Sequence, residues 1–492
     1  MRRKKTTIVI FSVLILFLFS LTLASALVEP KEGRVVITGE ESLASLLKYQ
    51  GINQLSEPII TKNGDICYLY QPLHVFANST FRFLGSDCKE LRLYSGTYIR
   101  ISGSAYFSDI KVTSADRNTN QPIIISRATY NQKRPHIYTD EANYVEIKNS
   151  EFSYLGSYTA IEGSTWGVSF WHLKSGLVSN SEFHHNYFGI YTWGTKNVTI
   201  QSSKFHDNIE YGMDFHDYSN NFVIQGNTVY NNGNHGIIFS KFCDNNKIVD
   251  NYVYDHTQGV FVKGVDHDYG VHAIMLHKDS NNNVISGNVL KNNYRAIFLY
   301  QSHNNLVEKN IILNDLGDGI YLDNSSHNQI KNNTALNTKG YGLYSFYSDN
   351  NEFKDNYFEK GSYFKKAVDG QEQGFVSSEK YVPEIIAAVN QEVNKKIQMK
   401  GQDQVLIVNN AGNNNGSKDQ NLEQGSIAVT NSGSWNIVTS LSDFIDSKMY
   451  NFLAIALIAI IIFLVEVVYK YHKKGRSNRN QIKNRKNVKE EK

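Results

Sequence analysis

The chain has 492 residues, 41% hydrophobic and 20% charged, with 34 Gly and 6 Pro, which suits one large domain with accessories and excludes a disordered protein. Three cysteines exclude a disulfide-dense scaffold. Residues 470–492 carry ten Lys/Arg against two Glu and residues 2–5 are all basic, so the overall +3 leaves −9 for residues 6–469 and excludes nucleic-acid binding through a broad basic face.

Residues 1–26 open on basic Arg2–Lys5, continue through apolar Ile8–Leu23 and close on Ala24-Ser25-Ala26. That pattern predicts a secretory signal peptide, with an uncleaved anchor as the alternative because the apolar run is long for a signal. Five glycosylation-type sequons, at Asn78, Asn197, Asn324, Asn332 and Asn415, agree with export, although an Asn-rich chain acquires some by chance. Cys67 and Cys88 could pair in an oxidising compartment, leaving Cys243 single. Residues 27–140 carry less regular strands, among which Leu91–Ile110 alternates as a strand should.

From residue 141 to 365 the chain repeats. Short apolar strands follow small pivots at Gly189, Gly212, Gly236, Ala273, Ala296, Gly319 and Gly342, spaced 23, 24, 37, 23, 23 and 23 residues apart. The 37 is one period plus an insertion near Gly259–His272. Paired asparagines (Asn220-Asn221, Asn245-Asn246, Asn304-Asn305, Asn350-Asn351) keep the same beat and mark turns. A period in the twenties made of strands and turn residues predicts a β-solenoid; leucine-rich repeats share the period, but their leucine framework is absent here, and propeller blades need about twice the period. The expected fold is therefore an all-β, parallel β-helix, with stacked asparagines laddering along its axis.

Beyond it, residues 366–399 include a helical stretch (383–396) that could cap the open end, and 400–448, rich in Asn, Ser, Gly and Gln, form a flexible stalk. Residues 449–469, built on unbroken apolar Phe452–Val465, are just long enough to span a bilayer, which needs ~20 residues. The basic tail 470–492 then lies on the cytoplasmic side, so the expectation is a single-pass membrane protein with its β-helix outside the cytoplasm.

Strand alternation says where chemistry can sit. Positions one and three after each pivot are mostly apolar and face inward, so positions two and four face outward, with coils ~4.8 Å apart. The outward columns are Tyr191, Asp214, Ile238, Met275, Phe298, Tyr321, Tyr344 and Trp193, His216, Ser240, His277, Tyr300, Asp323, Phe346. Such a face, expected to be exposed, offers flat aromatic surfaces suited to sugar rings. Asp214, His216 and Asp217, with Lys241 one coil on, form a plausible acid–base site; a solvated turn is the bland alternative, and a metal site lacks a demanding ligand spacing. Tyr211, Asp217, His235, His277 and Tyr300 are candidate substrate contacts. His184-His185, His206 and His256 fall at the ends of other strands and read as turn residues, and Asp266-His267-Asp268 as a lid or a polar loop. No cofactor or metal is expected, and a monomer is.

The stretch Asn208-Ile-Glu-Tyr-Gly-Met-Asp-Phe-His-Asp217 resembles the active-site coil of the periplasmic mannuronan C5-epimerases, right-handed parallel β-helices that carry Tyr-Gly-Ile/Leu-Asp-Pro-His-Asp there. His235-Gly-Ile-Ile-Phe-Ser-Lys241, one coil later, is similar to that family's His-Gly-Ile-Ile-x-Ser-Arg, and Asn149-Ser-Glu-Phe-Ser-Tyr-Leu-Gly156 also resembles it. The resemblance spans roughly residues 130–310. It implies that His216 removes the C5 proton of a uronate unit within a polymer, that Asp214 supports it, and that the family's arginine position, here Lys241, neutralises the substrate carboxylate. Lysine keeps the charge without the planar fork, and Phe215 stands where the family has proline. Tyr211, His235 or water would return the proton. The implied partner is an anionic polysaccharide. If the C4 substituent leaves instead, the same groups make a lyase, and a glycan-binding β-helix without catalysis is the third reading.

Overall fold

The computed structural model describes residues 27–365, except 32, 50–56, 127–128, 130–131, 159–164 and 258–269, together with 387, 389–391, 393 and 394. The chain rotates among three sheets. Val198–Gln201 lies in the second, Lys204–His206 in the third and Met213–His216 in the first, after which Val223–Gln225 begins the next coil in the second. Each strand pairs in parallel with its counterpart one coil away, giving sheets of 14, 12 and 13 strands among the described residues. This is the parallel β-helix that the repeat predicts.

The sheets run unbroken from before residue 140 into the regular repeat: Ser104–Ser108 pairs in parallel with Tyr144–Lys148. At the N-terminal end, Leu27–Lys31 pairs antiparallel with Arg34–Thr38, and Ile60–Asn63 with Ile66–Leu69. Between them the short helix Leu43–Lys48 buries Leu43 and Leu46, with the Ser42 hydroxyl accepting from the Ser45 amide at its start. Cys67 and Cys88 form a disulfide and Cys243 is free and buried.

Interior side chains come from alternate strand positions, as the pattern requires. Met213, Phe215, Ile237, Phe239, Ile274 and Leu276 are wholly buried in one continuous core. Phe152, Phe183 and Phe205 stack coil upon coil with centroids 5.1 and 4.9 Å apart. Burying each such ring contributes roughly 1.5–3 kcal/mol. The pivots are small for a steric reason: a Cβ on Gly212 would stand 2.6 Å from the Gly236 carbonyl oxygen.

The asparagines divide the labour of the turns. Asn221, Asn245, Asn304 and Asn350 take left-handed backbone conformations, which asparagine tolerates. Buried Asn246, Asn283, Asn305, Asn328 and Asn351 form an axial ladder, each amide N–H donating to the side-chain oxygen of the next coil at 2.7–2.8 Å. A second ladder runs through Asn227, Asn251, Asn288, Asn310, Asn333 and Asn356. Turn amides that would otherwise be buried without partners are satisfied in this way.

The described helical residues between 387 and 394 bury Val389 and Val393 against Tyr252, Val289, Leu313 and Leu336. Those four alternate with core residues Val253, Leu290, Ile312 and Ala335, so they form the outer face of the third sheet. The segment expected as an end cap therefore packs on the flank in its described part, where an apolar column needs cover. The expected signal (1–26), stalk (400–448), membrane segment (449–469) and tail (470–492) lie outside the described residues. Among the described residues, no helix is long and apolar enough to cross a membrane.

Candidate active site

The outward columns have the register the repeat implies. Asp214 pairs with Tyr191 and Ile238, and His216 with Trp193 and Ser240, in the neighbouring strands. The fourth-position column continues through His277 to Tyr300 and Asp323. At ~4.8 Å per coil, His277 and Tyr300 lie about 10 and 14 Å along the axis from His216.

Asp217 is the hub of the cluster. Its Oδ2 is 3.1 Å from His216 Nδ1 and accepts the Trp193 Nε1–H at 3.1 Å; its Oδ1 is 3.9 Å from Lys241 Nζ. The contact places a carboxylate at the Nδ1 edge of the His216 ring and leaves the Nε2 edge facing away from it. Nε2 makes no hydrogen bond among the described residues. Lys241 is half-exposed, so its ion pair is loose and its ammonium can turn to a ligand. The resemblance assigned the supporting role to Asp214; the direct contact belongs to Asp217.

Asp214 is buried, and its Oδ1 has no hydrogen-bond partner among the described residues. Burial pushes its carboxyl up to about 6, against the pull of His216 and Lys241 and with a push from Asp217. Tyr211, three residues earlier in the chain, also lies in the field of Asp214; burial first and that carboxylate second push its hydroxyl upward. In chain order Asp214 falls between Tyr211, three residues before it, and His216, two residues after it.

A further outward column runs one residue before the pivots. Phe188 and Tyr211 meet at 4.9 Å, Tyr211 and His235 at 5.3 Å, and His235 stacks on His272 at 5.0 Å. His272 pairs in register with Arg295, whose Nε is 3.7 Å from Asp318. The His272 backbone N–H donates to His235 Nδ1 at 3.1 Å, fixing the hydrogen of His235 on Nε2. Burial lowers His235 to about 3 and His272 well below the usual imidazole range, so both stay neutral. Sequence reasoning found Tyr211 and His235 but missed His272; extending the column rule to the residue before each pivot would have reached it. Trp193, read only as an outward ring, proves to be a hydrogen-bond donor to the hub.

The outward face is less exposed than expected. Ile238, Met275, Phe298 and Tyr300 cluster and bury one another, with Tyr211 and Tyr321 packed against them. Adjacent large apolar side chains, one coil or ~4.8 Å apart, exclude water from the column they form. His277 bonds Ser240 Oγ through Nδ1 at 2.8 Å and stacks on Tyr300 at 5.4 Å; burial, then Lys278, hold it down at about 4. Of the histidines expected at strand ends and turns, His184 and His206 end strands as expected and His185 takes a left-handed turn conformation. His184 and His206 stack at 5.2 Å on the third sheet, whereas His256 replaces an asparagine in a buried ladder, contacting Asn232 and Asn293. Asp266-His267-Asp268 and Lys263 lie outside the described residues. Among the described residues, no group of three His, Cys, Asp or Glu could hold a metal ion.

A search of curated proteins returns no match to the sequence. Among solved structures, the periplasmic alginate epimerase AlgG is similar with a TM-score of 0.57 at 20% identity, over 68% of this chain and 85% of that one. The Dettilon tailspike protein gp208 scores 0.42 at 14% identity over 59% and 60% of the two chains. PfbA, a surface adhesin of Streptococcus pneumoniae, scores 0.35 at 12% identity over 63% and 87%. The likeness to AlgG speaks for the fold alone, and the two lower scores carry no argument. A family model described as the right handed beta helix region matches residues 95–273 and 267–378, more than half of the chain. The chain belongs to the right-handed β-helix family.

Proposed function

We propose that this protein is a polyuronate C5-epimerase acting outside the cytoplasm, held at the membrane by residues 449–469. The observation that carries the reading is the His216–Asp217 contact, beside the Lys241 ammonium and over the buried Asp214, on the strand that bears the epimerase-like motif. Proton removal next to a carboxylate needs a base, a nearby positive charge and a proton returned from the opposite side. His216 Nε2 takes the C5 proton, and the C–H electron pair moves into the carboxylate to give an enediolate. Lys241 stabilises the added charge. A sugar standing over Asp214 meets His216 on one side and Tyr211 on the other, so the Tyr211 hydroxyl returns a proton to the opposite face of C5. His216 then loses its proton to solvent and Tyr211 regains one.

His235 is neutral and fixed as an Nε2–H donor, which suits a hydrogen bond to substrate better than proton return. His277 extends the column of His216 and fits a contact to a further unit of the polymer, with Tyr300 stacked behind it in the apolar cluster. The acidic body sits awkwardly with a polyanion, so Lys241, Lys278 and Arg295 must supply the local attraction.

The test is to incubate the full-length protein, solubilised in mild detergent, with polymannuronate and to follow the product by proton NMR and ultraviolet absorbance, with His216→Ala as control. Guluronate signals lost in the variant support the reading. Absorbance from a C4–C5 double bond would instead make it a lyase. Tight polymer binding with no chemistry, unchanged by His216→Ala, would make it a binding protein.

A further inference from the structure

The turn that leaves the first sheet is unusual at the coil of His216 and at the two coils after it. Two consecutive residues take left-handed backbone conformations: Asp217 and Tyr218 (φ 27° and 63°), Lys241 and Phe242 (65° and 60°), Lys278 and Asp279 (46° and 56°). Aspartate and asparagine tolerate this region, whereas a bulky side chain there is an outlier. The third coil follows the rule with Asp279; the first two place aromatic rings at the same step. Neither ring is recruited to the core. Tyr218 is 56% and Phe242 43% exposed, and the two stack with centroids 5.2 Å and planes 11° apart. Two adjacent coils thus combine backbone strain with exposed apolar surface, one residue beyond Asp217 and Lys241. Strain of this kind concentrates at ligand clamps and active sites.

We infer that Tyr218 and Phe242 form a stacking platform for one sugar ring of the polymer, next to the unit held at His216; this rests on the polyuronate reading of that centre. Tyr218 follows His216 by two residues, a span of at most about 7 Å, comparable with one sugar unit. The rings stack on one another, so the apolar surface offered to the C–H groups of a pyranose is an outer face of the pair, where both rings remain exposed. Lys241, immediately before Phe242 in the chain, supplies the charge complementary to a uronate carboxylate.

The experiment replaces both rings with the residue that the backbone prefers, Tyr218→Asn with Phe242→Asn, in the full-length protein. A mannuronate octasaccharide is titrated calorimetrically and thermal unfolding is recorded alongside. The double variant should unfold at the same or a higher temperature yet bind roughly 5- to 20-fold more weakly, while Tyr218→Phe binds like the parent. Octasaccharide affinity within about twofold of the parent overturns the platform alone. Weaker binding accompanied by a lower unfolding temperature also overturns it, because the rings are then structural. If the parent itself fails to bind the octasaccharide, the polyuronate reading falls and the platform with it.

Discussion

Asp214→Asn separates stability from function at the buried carboxylate. In the folded protein this group titrates at about 6 rather than 3.8, because burial disfavours its charged form and Oδ1 has no partner among the described residues. The native state therefore holds the proton more tightly than the unfolded chain. Stability falls as the pH rises from about 4 to about 6 and stays at the lower level above that. The full difference corresponds to roughly 3 kcal/mol given up at neutral pH. Asparagine carries no charge to desolvate, so the variant recovers up to that amount at pH 8 and only about a third of it near pH 4.5. For a domain this large the gain is on the order of 3–6 °C in unfolding temperature. Calorimetry of parent and variant at both pH values measures it, and the same samples assayed on polymannuronate should show activity reduced by at least about tenfold. A variant that is destabilised at pH 8, or whose gain is the same at both pH values, would refute the reasoning that Asp214 is a carboxylate kept at a cost for function.

Other expectations follow from individual contacts. Asp217→Asn removes the negative charge that stands beside both His216 and Lys241, so kcat should fall by about tenfold or more with KM little changed, read from initial rates. Lys241→Ala should reduce kcat/KM by about 10²–10³, while Lys241→Arg, which offers the planar fork the resemblance leads one to expect, should match or exceed the parent. Asn310→Ala breaks a ladder in which Asn310 donates to the Ile285 carbonyl at 2.9 Å and to Asn333 at 3.0 Å and accepts from the Asn288 amide at 3.0 Å. Leaving those buried groups unpaired should cost about 3–5 kcal/mol, measured by denaturant unfolding.

The periodic part of the molecule was legible because its physics is periodic. Small pivots at a 23-residue spacing fixed which side chains alternate inward, and the register of Tyr191, Asp214 and Ile238, or of Trp193, His216 and Ser240, follows from counting alone. The asparagine pairs announced turns, but not that one member bends the backbone while the other ladders. Which carboxylate touches His216 was not legible: Asp214 shares its face, yet the left-handed turn at Asp217 swings that side chain back onto the ring. Burial of Ile238, Met275 and Phe298 depends on rings from neighbouring coils, information a single strand does not contain. His272 escaped because the column rule stopped at the pivot. The flank position of the helix depends on an apolar outer column of the third sheet, whose members Tyr252, Val289, Leu313 and Leu336 are scattered over 85 residues.

The mechanism turns on one exchange at C5 of a uronate: a proton leaves one face to His216 and a different, solvent-derived proton arrives on the opposite face. Its most direct test is to incubate the full-length protein with polymannuronate in deuterated water and to read deuterium at C5 of the product by NMR. Guluronate units carrying deuterium at C5 should form with the parent and be absent with His216→Ala. Guluronate that keeps the original hydrogen at C5, or product formed equally by the variant, would contradict it.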